Sequence, residues 1–316
     1  MSAAPALPEK PKGKRPIGWI IAAAVVVVAI VVAVIVSAVR AGGDDSGAAA
    51  GGTHKTVTIG VADKSLAYWS TYTKLAKEKL GVTVKLTNFA DYSLPNPALK
   101  DGQLDLNQFQ HIQYLADYNV TSHDDLQPIG STAVYPLPLY ATKYDKASAI
   151  PEGAKIAIPN DSINEARALL VLQGAKLLTL KDGGSAFSTT ADIETKKVDV
   201  QPLDASQTAN ALQQGSVAGA VVNNNFATAA GLPSSDVVYQ DDPASANAAP
   251  YVNVFAARKA DKDDKTYLAL AKLFQDESVQ KAFLKDNPAA VVRDESPASL
   301  QKELTQVEQD AKAAKQ

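Results

Sequence analysis

The hydrophobic pattern begins with one long apolar run, IGWIIAAAVVVVAIVVAVIVSAV, which covers residues 17–39 without a charge. A helix of that length, rising about 1.5 Å per residue, spans the roughly 30 Å hydrocarbon layer of a bilayer. The run therefore predicts a single transmembrane helix. A cleaved signal peptide stays open as the alternative because small residues follow in SAVRAGG, although the apolar part of such peptides is usually only about 7–15 residues long.

Polar residues flank this run asymmetrically. Four basic residues precede it, offset by one acidic residue, whereas the stretch after it, RAGGDDSGAAAGG, is small and polar. The positive-inside rule then predicts a cytoplasmic basic tail over residues 1–16, with everything after the span outside the cytoplasm. Residues 40–54 have the composition of a flexible linker. The expected location is the cell membrane, with a single pass and an extracytoplasmic carboxy-terminal body.

The body alternates short apolar runs with helical periodicity. The run TVTIGVA (56–62), a helical pattern over 66–80 and VTVKLTNF (82–89) predict a parallel, right-handed strand–helix–strand unit. A second series consists of KIAIP (155–159), a helix to about residue 178, VDVQPL (198–203), a helix over 205–214 and AGAVV (218–222). This alternation predicts an α/β fold.

The two series are separated by the proline-punctuated segment VYPLPLYATK (134–143), which suggests two lobes with a ligand cleft between them. The segment PYVNVFAAR (250–258) and an amphipathic helix over 265–284 have no unit of their own to complete, so they are expected to return to the first lobe. The predicted boundaries are 55–137 with 246–316 for lobe 1, and 138–245 for lobe 2. Beyond Pro297 a polar, solvated helix is expected.

Composition narrows the function classes. A chain of 316 residues with 46% hydrophobic residues can bury a large core and form about two domains. Cysteine is absent, which excludes disulfides, thiolate metal sites, a cysteine nucleophile and a thioether lipid anchor. The formal net charge is −3, and the body alone is mildly acidic, so nucleic acid is not an expected partner.

Three amides follow the apolar strand 218–222, namely Asn223, Asn224 and Asn225. In open α/β sheets ligands bind beyond the carboxyl ends of the strands. An amide can donate to a carboxylate and accept from an ammonium group, which suits a zwitterion. The alternative is that these residues simply form a turn.

An arginine lies on the packed face of the helix that follows KIAIP. Residues 160–162 can cap this helix, and the i, i+3, i+4 spacing places Arg167 among apolar neighbours, with Asn164 one turn earlier. A guanidinium there needs an anion. That anion is either a ligand near the helix amino terminus or an intramolecular partner such as Glu165 or Asp161.

Aromatic residues and a histidine gather in LDLNQFQHIQYL (104–115), an extended segment that leads into a helix starting near His111. Phe109, His111 and Tyr114 form one candidate wall, with Tyr92 upstream and Tyr135 at the lobe junction. Aromatic walls suit an apolar or thioether side chain. For His111 the alternative is a hydrogen-bonded core histidine.

An enzyme would use His111 as a general base oriented by Asp105. The sequence contains no serine or threonine nucleophile motif, glycine-rich phosphate loop or HExxH spacing, and no reacting partner for the base. We therefore expect a protein that is not an enzyme, with no catalytic residues, no metal and no cofactor.

Five segments resemble, in order and spacing, the NlpA-type methionine-binding lipoproteins that serve bacterial ABC importers. They are DYSLPNPALKDGQLDLNQFQHIQYL, VYPLPLY, IAIPNDSINEARALLVLQ, GAVVNNNFATAAGL and PYVNV. The resemblance covers about residues 56–287. It implies a monomeric, two-lobe periplasmic-binding-protein-like fold that closes on L-methionine or a close derivative and delivers it to a membrane permease powered by an ATPase.

The resemblance also implies which residues hold the ligand. The family's carboxylate-binding arginine falls on Arg167, and its pocket asparagines fall on Asn164 and on Asn223 or Asn225. Its aromatic residues and histidine fall on Tyr92, Phe109, His111, Tyr114 and Tyr135.

The sequence departs from the family in its attachment and in one pocket position. The family's lipobox cysteine is absent, so a transmembrane helix is expected to replace the lipid. Gln108 stands where a second aromatic residue is common. Another small amino acid or a methionyl dipeptide therefore stays open as the ligand, and a non-enzymatic surface or adhesive role stays open as the function.

Overall fold

A computed structural model of the chain describes residues 55–314. The strands are β1 (Thr56–Val61), β2 (Thr83–Asn88), β3 (Leu106–His111), β4 (Gln127–Ser131), β5 (Ala133–Val134), β6 (Pro138–Tyr140), β7 (Lys155–Pro159), β8 (Leu178–Leu180), β9 (Ile193–Lys196), β10 (Asp199–Leu203), β11 (Gly219–Val221), β12 (Val237–Gln240), β13 (Asn253–Ala257) and β14 (Val291–Val292). The helices are α1 (Tyr68–Leu80), α2 (Pro95–Lys100), α3 (Ile112–Ser122), α4 (Ser162–Gly174), α5 (Ala205–Gln213), α6 (Asn224–Ala229), α7 (Lys265–Leu273), α8 (Glu277–Asp286) and α9 (Pro297–Ala314).

The first sheet has the strand order β2-β1-β3-β13-β4. Strands β1, β2 and β3 are parallel, and β13 runs antiparallel to both β3 and β4. The predicted strand–helix–strand unit is confirmed, and so is the return of the 250–258 segment to the first lobe. The alternate side chains Val57, Ile59 and Val61 are fully buried, which fixes which face of β1 meets the core.

The second sheet has the order β10-β7-β11-β6-β12. Strands β10, β7 and β11 are parallel, whereas β6 and β12 are antiparallel neighbours. The α/β class is therefore confirmed. We call the part built on the first sheet the first lobe and the part built on the second sheet the second lobe.

Two segments connect the lobes, residues 135–137 between β5 and β6 and residues 241–252 between β12 and β13. The second of them contains a 3₁₀ turn, Ala246–Tyr251. In folds of this class a ligand cleft is expected beyond the carboxyl ends of the parallel strands.

Two helix boundaries differ from the sequence prediction. Helix α4 ends at Gly174 instead of near residue 178, because Lys176 has a left-handed backbone (φ 59°) and Leu178 already belongs to β8. The predicted helix over 265–284 is two helices, because the side chain of Asp276 accepts a hydrogen bond from the backbone N–H of Ser278 and starts α8 there.

The carboxy-terminal helix α9 is not simply solvated, which corrects the prediction for this segment. One of its faces is buried, with Leu300, Leu304, Val307 and Ala311 at i, i+4, i+7 and i+11. Leu300, Leu304 and Val307 join a core cluster of the first lobe that includes Leu115. The helix is part of the first lobe's hydrophobic core.

Over residues 55–314, no helix combines the length and the apolar character that crossing a membrane requires. The predicted transmembrane helix over residues 17–39, the basic tail over 1–16 and the linker over 40–54 lie outside the described residues.

Candidate functional site

A cleft between the two lobes brings together all nine residues singled out from the sequence. They are Tyr92, Phe109, His111, Tyr114, Tyr135, Asn164, Arg167, Asn223 and Asn225. Residues not singled out as site residues complete the lining, and they are Ala62, Asp63, Gln108, Gln110, Pro136, Leu137, Asn224 and Asn253.

Arg167 is buried in the cleft wall, with only 5% of its surface exposed. Its Nε donates to Asp241 Oδ2 at 2.8 Å, and its Nη2 donates to the backbone carbonyl of Tyr135 at 2.8 Å. The intramolecular anion is therefore Asp241, not Glu165 or Asp161. Asp241 is itself held by the backbone N–H of Leu137 at 2.7 Å, so one ion pair ties both connecting segments to α4.

The guanidinium also stacks on an aromatic ring. Its Cζ lies 4.2 Å from the ring centroid of Tyr251, a cation–π geometry that fixes the plane of the group. Among the described residues, Nη1 donates no hydrogen bond, whereas Nε and Nη2 are both used. The fork therefore keeps one N–H edge for an anion within the cleft.

A chain of hydrogen-bonded amides also lines the cleft, and it begins at the cap of helix α4. Asp161 caps α4 by accepting from the backbone N–H of Asn164 at 2.9 Å, and both of its carboxylate oxygens accept from Asn164 Nδ2. Asn164 Oδ1 in turn accepts from Asn223 Nδ2 at 2.9 Å. Asn223 Oδ1 is then a buried acceptor without a hydrogen-bond partner. Such an atom is costly unless a donor reaches it.

The other two amides of the run reach across the cleft to the first lobe. Asn224 Nδ2 donates to Asn287 Oδ1 at 2.8 Å. The hydroxyl of Tyr92 donates to Asn225 Oδ1. The sequence left open which of Asn223 and Asn225 contacts a ligand. In the structure Asn225 Oδ1 accepts from Tyr92, whereas Asn223 Oδ1 has no partner among the described residues.

Three rings of the first lobe, Tyr92, Phe109 and Tyr114, form an aromatic wall of the cleft. The ring centroid of Tyr92 lies 5.9 Å from that of Phe109 and 6.2 Å from that of Tyr114, and Phe226 of the second lobe packs against Tyr92 at 5.1 Å. Tilted and edge-on contacts of this kind are the preferred arrangement of aromatic pairs. The rings of the wall therefore pack against one another.

A cluster of buried amides supports this wall from behind. Asn96 Nδ2 donates to Gln110 Oε1 at 2.8 Å, and Asn107 Nδ2 donates to Asn96 Oδ1 at 2.9 Å. Gln110 Nε2 donates back to Asn107 Oδ1 at 3.0 Å. These bonds fasten α2 to β3, and α2 follows directly after the loop that carries Tyr92.

His111 caps helix α3 as well as lining the cleft. Its Nδ1 accepts from the backbone N–H of Tyr114 at 3.2 Å, which leaves the proton of the neutral ring on Nε2. Burial, together with the charge of Arg167, lowers the pKa of His111 to about 3. The ring is neutral at physiological pH and offers an N–H donor.

The dyad that an enzyme would need is not formed. Asp105 Oδ2 accepts from the backbone N–H of Thr58 at 2.7 Å, and its Oδ1 accepts from the hydroxyl of Tyr267 at 3.2 Å. The carboxylate braces β1 and α7 and does not orient His111. The histidine's own basic nitrogen is occupied by the helix cap.

Two important site residues were missed from the sequence. Tyr251 and Asp241 both lie in the connecting segment 241–252, and Asp241 is 74 positions from Arg167. Tyr251 is part of the PYVNV motif, so it carried a signal that was not followed. Asp241 lies in a polar loop and carried none.

A family model described as NlpA lipoprotein matches residues 57–294 of this chain. The probable D-methionine-binding lipoprotein MetQ of Haemophilus influenzae is 38% identical over 224 residues, which cover 70% of this chain and 80% of that protein.

Solved structures show the same similarity. A Staphylococcus aureus protein, PG110, is 34% identical with a TM-score of 0.75, covering 79% of this chain and 99% of that one. A nutrient binding protein from Burkholderia cenocepacia, bound to methionine, is 36% identical with a TM-score of 0.69, covering 75% of this chain and 99% of that one.

Proposed function

Since the chain belongs to the NlpA lipoprotein family, we propose that it is the substrate-binding protein of an ABC importer and that its cleft takes L-methionine or a close derivative. It captures its ligand outside the cytoplasm for import. It is a binding protein and not an enzyme, in agreement with the names of its relatives, which describe binding proteins.

The observation that carries the proposal is the pairing of two unused groups in one cleft. Arg167 Nη1 is a charged donor, and Asn223 Oδ1 is a buried acceptor without a partner. An amino acid presents a carboxylate and an ammonium on one carbon. The carboxylate satisfies the guanidinium and the ammonium satisfies the amide oxygen.

The aromatic wall accounts for the side chain of the ligand. Methionine has an unbranched, polarizable thioether that gains from contact with ring edges. Tyr92, Phe109 and Tyr114 provide three rings at mutual distances of about 6 Å. The Nε2 proton of His111 adds a donor at the edge of this wall.

The remaining expectations complete the proposal. We propose that the apolar run 17–39, which lies outside the described residues, anchors the body at the outer face of the cell membrane in a single pass. The lobe boundaries are 55–137 with 246–316, and 138–245. A monomer delivers the ligand to the permease and its cytoplasmic ATPase.

Replacing the arginine tests the proposal. Arg167→Ala should lower the affinity for methionine at least tenfold, because the ligand carboxylate loses a charge-assisted partner. Arg167→Lys keeps a cation beside Asp241 and so protects the fold. Its affinity for methionine should nevertheless be low, because lysine lacks the planar fork of the guanidinium. Titration calorimetry with L- and D-methionine measures both variants.

Arg258 provides a matched control. Its Nε donates to Asp261 at 2.7 Å and its Nη1 donates to two backbone carbonyls, so it copies the bonding of Arg167 at a position that does not line the cleft. Arg258→Ala should cost stability and leave methionine affinity within about twofold. Unchanged affinity in both Arg167 variants, or no binding by the native protein, would reject the proposal.

A further inference from the structure

Asp63 is an acidic side chain on the cleft wall without a cationic partner. It follows β1 at the carboxyl end of the strand and lines the same cleft as Arg167 and Asn223. The described residues contain no lysine, arginine or histidine within ion-pairing distance of it, although nine such pairs occur elsewhere. An unneutralised carboxylate in a partly buried wall is costly to keep.

Two core residues hold this carboxylate in place. Trp69 Nε1 donates to Oδ1 at 2.7 Å, and the hydroxyl of Tyr68 donates to Oδ2 at 2.9 Å. Tyr68 and Trp69 are themselves buried in the first lobe. Asp63 cannot turn out into water without stranding two buried donors, so its charge stays at the cleft.

The charged group that acts most strongly on Asp63 is Asp286 of α8, and it is acidic. Lys64, the next residue in the chain, makes no ion pair with it. Tyr68, Tyr92 and Tyr135 face it as neutral phenols, because burial raises the pKa of each well above its usual value. Burial, with a smaller contribution from Asp286, raises the pKa of Asp63 itself to about 6.

A second acceptor lies beside it. Gln108 pairs in register with Val61 of β1, two residues before Asp63, and it lines the cleft. Its Nε2 donates to Thr132 Oγ1 at 3.3 Å, and its Oε1 receives no hydrogen bond from the described residues. This end of the first lobe therefore offers the cleft acceptors and negative charge, whereas Arg167 offers donors and positive charge.

We propose that Asp63 is the counter-ion of the ligand's ammonium group. This inference rests on the proposed function and adds a specificity-determining residue to it. The ammonium carries three N–H donors, which exceed what the single free oxygen of Asn223 can accept. Asp63 supplies the missing acceptor from the first lobe together with the compensating charge.

Removing the charge from the protein and the ammonium from the ligand tests the pair directly. Calorimetry at pH 7.5 compares the native protein and Asp63→Asn with L-methionine and with 4-(methylsulfanyl)butanoate, which keeps the carboxylate and the thioether but lacks the ammonium. Asp63→Asn should lower the affinity for L-methionine at least tenfold and change the affinity for the butanoate by less than about threefold.

The pH profile of L-methionine affinity provides the second measurement. In the native protein the affinity should fall as the pH drops from 7.5 to 5, because protonated Asp63 carries no charge, and in Asp63→Asn this fall should be absent. His111 stays neutral throughout this range, since its pKa is lowered to about 3. The inference would be overturned if Asp63→Asn lost affinity for both ligands to the same degree. It would also be overturned if the affinity of the native protein for L-methionine did not change with pH.

Asp91→Asn is the matched control, because it removes one negative charge from an exposed loop of the same lobe. Asp91 Oδ1 accepts from the backbone N–H and the hydroxyl of Ser93, and Asp91 does not line the cleft. Its affinity for L-methionine should stay within about twofold of the native value. If Asp63→Asn binds L-methionine like the native protein, only this inference fails. If the native protein binds no methionine, the proposed function fails.

Discussion

At the scale of single residues, two side chains of the cleft make a structural hydrogen bond and also keep a donor free within the cleft. His111 starts helix α3 with its Nδ1 and keeps Nε2–H for the cleft. Arg167 joins two chain segments through Asp241 and Tyr135 and keeps Nη1 for an anion. The structural bond fixes the orientation of the functional group, so the ligand does not have to order it.

The neutral state of His111 makes stability depend on pH. The pKa of His111 in the folded protein, about 3, is lower than its usual value of 6.5. The unfolded chain therefore binds the extra proton between these values, so the stabilisation is complete above pH 6.5 and is lost as the pH falls towards 3. Relative to His111→Asn, the native protein should lose about 2 kcal/mol between pH 7.5 and pH 5.

Urea unfolding of both proteins at several pH values measures this difference. Asparagine is a good helix cap and does not titrate, so it retains the structural role. Comparing the two proteins at each pH also cancels the opposite contribution of Asp63, whose raised pKa makes the folded state bind the extra proton. Parallel pH profiles would show that His111 is not held neutral.

At the scale of elements, the sequence was most informative where an apolar run is short and sharply bounded. KIAIP became β7 without a shift, and the helix predicted to start near His111 begins at Ile112. Endings that depend on one backbone angle, such as the left-handed Lys176 after α4, left no pattern to read. The burial of one face of α9 was also missed, because polar residues outnumber apolar ones along it.

The same limit applies to the site. Residues on recognisable strand ends and helix faces were found, because local spacing decides where they point. Asp241 and Asp63 were not, because their roles arise from contacts with residues distant in sequence or from the shape of the cleft. Sequence spacing alone does not specify which loop will approach a given helix.

Helix α9 yields a prediction about stability. Leu304 is 2% exposed and packs in a core cluster with Leu115 and Leu126. Leu304→Ala should lower the free energy of unfolding by about 2–5 kcal/mol, because truncation of this side chain leaves a cavity in the core. Methionine affinity of the folded protein should be unchanged, since the residue does not line the cleft.

Chemical unfolding and calorimetry check both parts of this prediction. Leu284→Ala is the control, because Leu284 is 38% exposed on α8 and should cost much less. Equal losses in the two variants would mean that α9 is not part of the core.

At the scale of the whole molecule, the two lobes contact each other around the ligand cleft through polar groups as well as through the connecting segments. Tyr92 meets Asn225, Asn224 meets Asn287, and the hydroxyl of Ser162 donates to Asp117 at 3.1 Å. Polar contacts of this type exchange readily with water, so they hold a closed form without locking it. A ligand that touches both lobes shifts the balance towards closure.

Ligand binding should therefore raise the stability of the whole body. L-Methionine at about 100 times its dissociation constant should add about 2.7 kcal/mol to the free energy of unfolding, because it binds the folded state alone. Thermal melts with and without ligand measure the effect, and Arg167→Lys at the same ligand concentration should show much less of it. No shift in the native protein would favour the surface or adhesive role that the sequence left open.

The run of three asparagines after β11 has a consequence for how such a protein can evolve. Asn223 keeps an unpaired acceptor, while its two neighbours make hydrogen bonds to the opposite lobe. The unpaired acceptor and the contacts between the lobes therefore lie on adjacent residues but involve separate atoms and separate hydrogen bonds. A substitution at Asn224 would therefore alter a contact between the lobes and leave the unpaired acceptor of Asn223 in place.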